Sequence, residues 1–204
     1  MRLFLPFGGV ASMELPRLRV AESERIWATG YLASSGVEVG DFLIGIHPGA
    51  SLPEKRWPLE QFREVARALI AEPGVRVLAF AEPSGYGAEL FAVQGVIGAQ
   101  VGLRELIALV DRCDLLVCND SGPMHIAGAL GVPTVAMFGQ GIERWFAPLG
   151  EGHEMLIPEA KLSSALDSRA GSIRAPTGIS SAQVLAAVER TMQRLRNGRT
   201  FSSR

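Results

Sequence analysis

The stretch Leu115-Leu116-Val117-Cys118-Asn119-Asp120-Ser121-Gly122-Pro123-Met124-His125 constrains the fold more than any other part of the chain. An apolar run stops at small polar residues and passes directly into Ile126-Ala127-Gly128-Ala129-Leu130, which reads as helix. A buried strand that turns straight into a helix belongs to a sheet whose helices pack on its faces. Ser121 or Gly122 suits the N-cap and Pro123 the first helical position. The junction leaves backbone N–H groups and the positive end of a helix dipole facing whatever lies beyond the strand. Such a site favours an anion, phosphate above all.

The same beat of strand, loop and helix repeats from about residue 42 to 140. Leu43–Ile46, Val75–Phe80, Leu115–Cys118 and Thr134–Phe138 are the predicted strands. Helical spacing of apolar residues predicts helices over Leu59–Ala71 (Phe62, Val65, Ala66, Leu69, Ile70) and Leu103–Val110, with a short one from Gly85 to about Val93. The pattern implies an α/β domain with a parallel sheet covered on both faces. The flanks differ. Residues 1–41 carry a helix around Glu22 to Ser34 and read as an N-terminal extension or remnant of an interdomain linker. Residues 151–178 read as an irregular connection, and Ser180–Leu195 as a closing amphipathic helix.

Composition narrows the class. Hydrophobic residues make up 48% of the 204, which suits a folded α/β protein. A net charge of −1 gives no reason to expect nucleic acid as a partner. The two cysteines, Cys113 and Cys118, flank and end a strand and read as free buried thiols, consistent with a reducing compartment. The apolar run at Leu3–Phe7 is too short and too interrupted for a signal or a membrane span. A soluble, cytoplasmic protein with at most peripheral membrane contact is expected.

Ligands of open parallel sheets bind beyond the carboxyl ends of the strands. Here those ends give His47-Pro48-Gly49-Ala50-Ser51 with Lys55-Arg56-Trp57-Pro58, then Ala81-Glu82-Pro83-Ser84, then Asn119 to His125, then Gly139-Gln140-Gly141. Of the 20 basic residues only Lys55 and Lys161 are lysine, so Lys55 stands out as a compact cation on this edge. Each residue also has a structural reading. His47 can cap a turn, Asp120 and Ser121 can cap a helix, His125 can pack in a core, Lys55 can be a solvated cation and Trp57 can be packing. Glu82 is a loop carboxylate without a local partner in sequence.

Asp120, Ser121 and His125 are the residue types of a hydrolytic triad, but they crowd one turn, and no Gly-x-Ser-x-Gly elbow exists. Gly-x-x-x-x-Gly-Lys-Ser/Thr and Gly-x-Gly-x-x-Gly are both absent. A nucleotide site built from a helix N-terminus and one lysine, without a metal-ligand cluster, is what these residues leave.

The blocks His47–Ser51, Lys55–Pro58, Asn119–Ala127 and Pro133–Gly139, in this order and spacing, resemble the carboxy-terminal half of glycosyltransferase family 9, the heptosyltransferase-type enzymes of lipopolysaccharide core assembly. The resemblance covers about residues 40–150 and the closing helix. It implies a Rossmann-like domain that forms one half of a GT-B fold and holds a nucleotide-diphospho-sugar such as ADP-heptose, without a metal cofactor. By resemblance Lys55 neutralises the diphosphate, Ser51 hydrogen-bonds it, and the Ser121-Gly122 turn offers it backbone N–H groups. Asp120 would bind sugar hydroxyls, His125 would assist at the sugar–phosphate side, and Glu82 would bind ribose.

The chain departs from the family pattern in three places. Residues 1–41 are too few for a second Rossmann-like domain, so the acceptor site and general base are expected to be missing. Gly139-Gln140-Gly141 stands where the family has Gly-Pro-Thr, and residues 151–178 lack the cysteines many members carry. A non-catalytic nucleotide-binding module, from a truncated or split enzyme, is the alternative; a GT-B nucleotide-sugar epimerase also needs both domains. No glycosyl transfer is therefore expected from the chain alone with ADP-heptose and a lipopolysaccharide-core acceptor. A sugar-extended acceptor in mass spectrometry would overturn that expectation.

Overall fold

A computed structural model describes residues 17–139, 147–158 and 176–202. Gln140, Gly141 and most of the predicted irregular connection lie outside them. In chain order the elements are α1 (Glu22–Ser34), β1 (Phe42–His47), α2 (Leu59–Ile70), β2 (Val75–Phe80), β3 (Val96–Ala99), α3 (Leu103–Val110), β4 (Leu115–Asn119), α4 (Gly122–Leu130), β5 (Thr134–Met137), β6 (Glu154–Leu156) and α5 (Ser181–Ser202). Short 3₁₀ turns cover Pro53–Lys55 and Ala88–Ala92. The second stands where a short helix is predicted.

All strand pairs are parallel, in the order β3-β2-β1-β4-β5-β6. That is the order of the dinucleotide-binding fold, with its direction reversal between β1 and β4. Alternation along β1 sends Ile44 and Ile46 to one face, where they pack with α2, α5 and Trp57. Leu43 points to the other, among residues of α1, α3 and α4. The amphipathic spacing of Phe62, Val65, Ala66 and Leu69 is what seats α2, and all four are buried. The expected α/β architecture with helices on both faces is present.

Two strands are additional to the predicted four. β3 is a short Val-Ile-Gly-Ala run, and Phe91 lies so close to Gly98 that an added Cβ would sit 2.6 Å from its ring. β6 lies within the stretch read as irregular and forms the sheet edge beside β5. Its Glu154 is held by Arg190, Arg194 and Thr191 of α5, so the closing helix also locks the last strand. α1 packs its Ala28 and Leu32 into the same core as α3 and α4.

Gly45 sits where central β1 meets its neighbours. A Cβ there would lie 2.9 Å from Leu116 Cδ1, 3.1 Å from Cys113 Sγ and 3.3 Å from Phe80 Cε2. Overpacking of this kind costs about 1–3 kcal/mol. Gly45→Ala is expected to lower unfolding stability by that amount in denaturant titration; an unchanged midpoint would show that the core yields at no cost.

Candidate functional site

The carboxyl ends of β1, β2 and β4 open into a cavity of about 440 Å³. His47, Ala50 and Ser51 line it from the β1 loop, Ala81–Ser84 from the β2 loop, and Ser121–Pro123 from the start of α4. Val101, Leu103 and Leu106 form an apolar wall opposite. The cavity thus lies at the direction reversal of the sheet, where open α/β domains bind ligands. A wider groove of about 520 Å³ between α2 and α5 lies away from the strand ends and contains none of these residues.

Ser121 is the N-cap of α4, in extended conformation, with Gly122 first and Pro123 second in the helix. Pro123 thus sits one position later than expected. The Ser121 hydroxyl makes no capping bond; it is buried without a partner. Its hydrogen-bonding capacity is left beside the cavity at a helix N-terminus, the geometry that receives anions.

Lys55 and Asp120 pair beside Ser121, neither of them lining the cavity itself. Lys55 Nζ donates to Asp120 Oδ2 at 2.7 Å, with side-chain exposures of 13% and 4%, so the pair is largely removed from water. Breaking such a pair by removing one partner costs far more than breaking a surface pair. Beside it, Arg56 Nη2 donates to Glu82 Oε2 at 3.1 Å, and the Ser84 hydroxyl donates to the same oxygen at 3.2 Å. Glu82 is therefore partnered by Arg56 through space and also by Ser84 two residues on, a local partner where none was expected from sequence.

Trp57 continues the run. Its backbone N–H donates to Asn119 Oδ1 at 3.0 Å, and its indole N–H to the Ile179 carbonyl at 2.8 Å. Asn119 Nδ2 donates to the Pro48 carbonyl at 2.7 Å. The fully buried Trp57 ring packs edge-on against Phe62, with centroids 4.9 Å apart. Its reading as packing holds, with the indole N–H as an added tie.

Ser51 lines the cavity with an exposed side chain. His125 does not join the cavity; it lies on the first turn of α4 with an exposed side chain. His47 is buried beside the cavity, and its Nδ1 has no hydrogen-bond partner. Burial lowers its pKa to about 4, with the Gly49 and His47 carbonyls opposing the shift only in part. The imidazole is therefore neutral at physiological pH. Cys113 and Cys118 are free and buried, and burial pushes both thiols far up, so neither is a nucleophile.

The family model described as "Glycosyltransferase family 9 (heptosyltransferase)" matches residues 3–167. The chain belongs to that family. It is 32% identical over 145 residues to lipopolysaccharide heptosyltransferase 2 of Escherichia coli K12, covering 66% of this chain and 40% of that protein. Lipooligosaccharide heptosyltransferase 2 of Haemophilus influenzae is 31% identical over 121 residues, or 53% of this chain and 34% of that one. Among solved structures, a family 9 glycosyl transferase from Veillonella parvula superposes with TM-score 0.78 at 29% identity, over 93% of this chain and 58% of that one. The E. coli ADP-heptose lps heptosyltransferase II gives 0.73 at 25%, over 91% and 56%. The fold is that of one Rossmann-like half of a GT-B glycosyltransferase. The chain spans about 40% of the length of the E. coli relative.

The roles of Arg56, Asn119 and Tyr86 in shaping this family 9 site are not visible in sequence, because each partner lies far along the chain. A lone Asn closing an apolar strand is the one signal that could have pointed to a buried amide.

The depressed pKa of His47 has a consequence for stability. The unfolded histidine gains its proton near pH 6.5, whereas the folded one resists until about pH 4. Between those values the unfolded state binds more protons. Stability that is complete above pH 6.5 is thus lost as pH falls towards 4, by roughly 3 kcal/mol at about 1.4 kcal/mol per pH unit. His47→Gln is expected to flatten this difference in denaturant titrations at pH 7 and pH 4.5. Parallel pH profiles for variant and parent would refute it.

Proposed function

We propose that this family 9 domain binds the nucleotide-diphospho-sugar donor of a heptosyltransferase-type enzyme of lipopolysaccharide core assembly. The observation that carries the reading is the cavity at the sheet's direction reversal, lined by the N-terminus of α4, with the partly shielded Lys55 ammonium held by Asp120 immediately before that helix start. A diphosphate suits this combination of oriented N–H groups and a fixed cation. ADP-heptose is the proposed donor, supported by the similarity to the E. coli ADP-heptose lps heptosyltransferase II.

In this arrangement Lys55 turns towards the diphosphate, the Ser51 hydroxyl and the Ser121-Gly122 backbone hydrogen-bond it, and Asp120 takes sugar hydroxyls. Glu82 receives the ribose beside the apolar wall, and His125 stands at the outer end near the sugar. As the glycosidic bond breaks, negative charge grows on the departing diphosphate. A cation fixed there stabilises that state more than the bound ground state. The acceptor and the base that deprotonates it are assigned to an amino-terminal half, so transfer is proposed for both halves together. Without that half the domain acts as a nucleotide-binding module. Working contact with a membrane is peripheral in this reading; among the described residues no helix is long and apolar enough to cross one.

Calorimetric titration with ADP tests the proposal. Binding is expected with chelator present as without it, since the anion is met by Lys55 and backbone donors; a magnesium requirement would refute this. Lys55→Ala should weaken ADP about tenfold to hundredfold, the equivalent of one charge-assisted hydrogen bond of roughly 1.5–3 kcal/mol, and leave adenosine nearly unchanged. The double variant Lys55→Gln/Asp120→Asn, which leaves no unpaired buried carboxylate, should show the same contrast. Equal losses for ADP and adenosine would place Lys55 away from the phosphates.

A further inference from the structure

Glu82 sits in a slot built from both sides. On one side Arg56 and Ser84 hold its Oε2 at 3.1 and 3.2 Å. On the other it lies against Gly49, where an added Cβ would fall 2.3 Å from Oε1. The Arg56 guanidinium is in turn stacked on the Tyr86 ring, 4.0 Å from its centroid. Tyr86 and Glu82 belong to one closed turn: the Glu82 N–H donates to the Tyr86 carbonyl at 2.9 Å, and the Gly85 N–H to the Glu82 carbonyl at 2.8 Å. Arg56 is thus wedged between the ring and the carboxylate of a single loop, and side-chain exposures of 24% and 20% keep the ion pair partly shielded.

We propose that Arg56 is a positioning residue of the nucleoside subsite, fixing Glu82 so that its carboxylate meets the ribose hydroxyls. The inference rests on the donor-site reading above. Neither composition nor strand-end position points to Arg56. A free carboxylate beside a diphosphate would repel it and would sample several rotamers. Paired with Arg56, it keeps a hydroxyl-accepting oxygen while its charge is offset. A planar, permanently charged guanidinium can stack and donate at once; a lysine ammonium cannot do both in the same way. Arg56 also follows Lys55 directly in sequence, so the groups assigned to phosphate and to ribose are set by one short segment.

The test titrates the full chain with ADP, 2′-deoxy-ADP and 3′-deoxy-ADP. The parent is expected to prefer ADP over at least one deoxy analogue by about tenfold or more, since an acceptor carboxylate loses a hydroxyl donor. Arg56→Lys and Arg56→Ala should bring that ratio close to one, with a smaller change in affinity for the disfavoured analogue. Gly49→Ala, which pushes the carboxylate out from the opposite side with Arg56 intact, should collapse the same ratio. A purely structural role for Arg56 would weaken all three nucleotides equally and keep the ratio, and that result overturns the inference. If Arg56→Ala does not fold, Arg56→Lys and Gly49→Ala decide the matter. A parent that binds ADP but ignores the ribose hydroxyls overturns this inference alone, whereas one that binds no ADP overturns the donor-site reading as well.

Discussion

The site depends on one buried amide. Asn119 ends β4 with no exposed surface, and its side chain accepts from the Trp57 N–H and donates to the Pro48 carbonyl. Those two groups flank the long loop after β1, so a single residue on the neighbouring strand closes that loop at both ends. Each buried polar group left unpaired would cost about 1–3 kcal/mol, which holds the loop in this one conformation. The indole N–H then anchors Trp57 to the Ile179 carbonyl ahead of α5. With Trp57 fixed, the two residues before it have little freedom. Lys55 reaches Asp120 beyond β4, and Arg56 reaches Glu82 beyond β2. One short segment therefore ties together three strand ends and the closing helix.

This wiring would let a domain of nearly neutral net charge offer the selective anion site proposed above. Its two site cations are each matched by a carboxylate at hydrogen-bond distance, so neither is presented as bare charge. The N–H groups at the start of α4 add positive potential without adding net charge. His47, neutral through burial, adds polarity at the cavity wall and no charge. In the proposed donor complex, diphosphate competes with Asp120 for Lys55. Pairing in the empty site keeps the ammonium in place, and the carboxylate that releases it stands where sugar hydroxyls would arrive.

Sequence patterning revealed the strands that are buried and flanked by clear helices: β1, β2, β4 and β5 are mainly apolar, with exposed Arg76 the one charged residue in β2, as central parallel strands tend to be. It did not reveal β3, a four-residue run of which only Ala99 is buried, or β6, whose three residues alternate too briefly to show a period. Both lie at sheet edges, where burial demands least of the side chains. At the site, the strand-end rule picked out His47, Ser51, Lys55, Glu82 and Ser121 because each follows or caps a legible element. It could not show which carboxylate meets which cation. Lys55 and Asp120 are 65 residues apart, and Arg56 and Glu82 are 26 apart, so those pairings are products of tertiary structure. His125 matched a motif and yet points outward, because spacing on the first turn of a helix does not by itself choose a face.

The two ion pairs would contribute differently to transfer in the proposed donor site. Glu82, held by Arg56, faces a part of the donor that does not change as the glycosidic bond breaks. Its hydrogen bonds stabilise bound substrate and transition state alike, which lowers KM and leaves the chemical step unaltered. Lys55 faces the diphosphate, where charge increases during bond cleavage, so its contribution grows along the reaction and enters kcat. Lys55 and Arg56 are adjacent in sequence, so the segment fixed at Trp57 carries both groups in one preorganised arrangement. The nucleoside contacts would thereby set the occupancy of the site, and the preplaced ammonium the rate of bond cleavage.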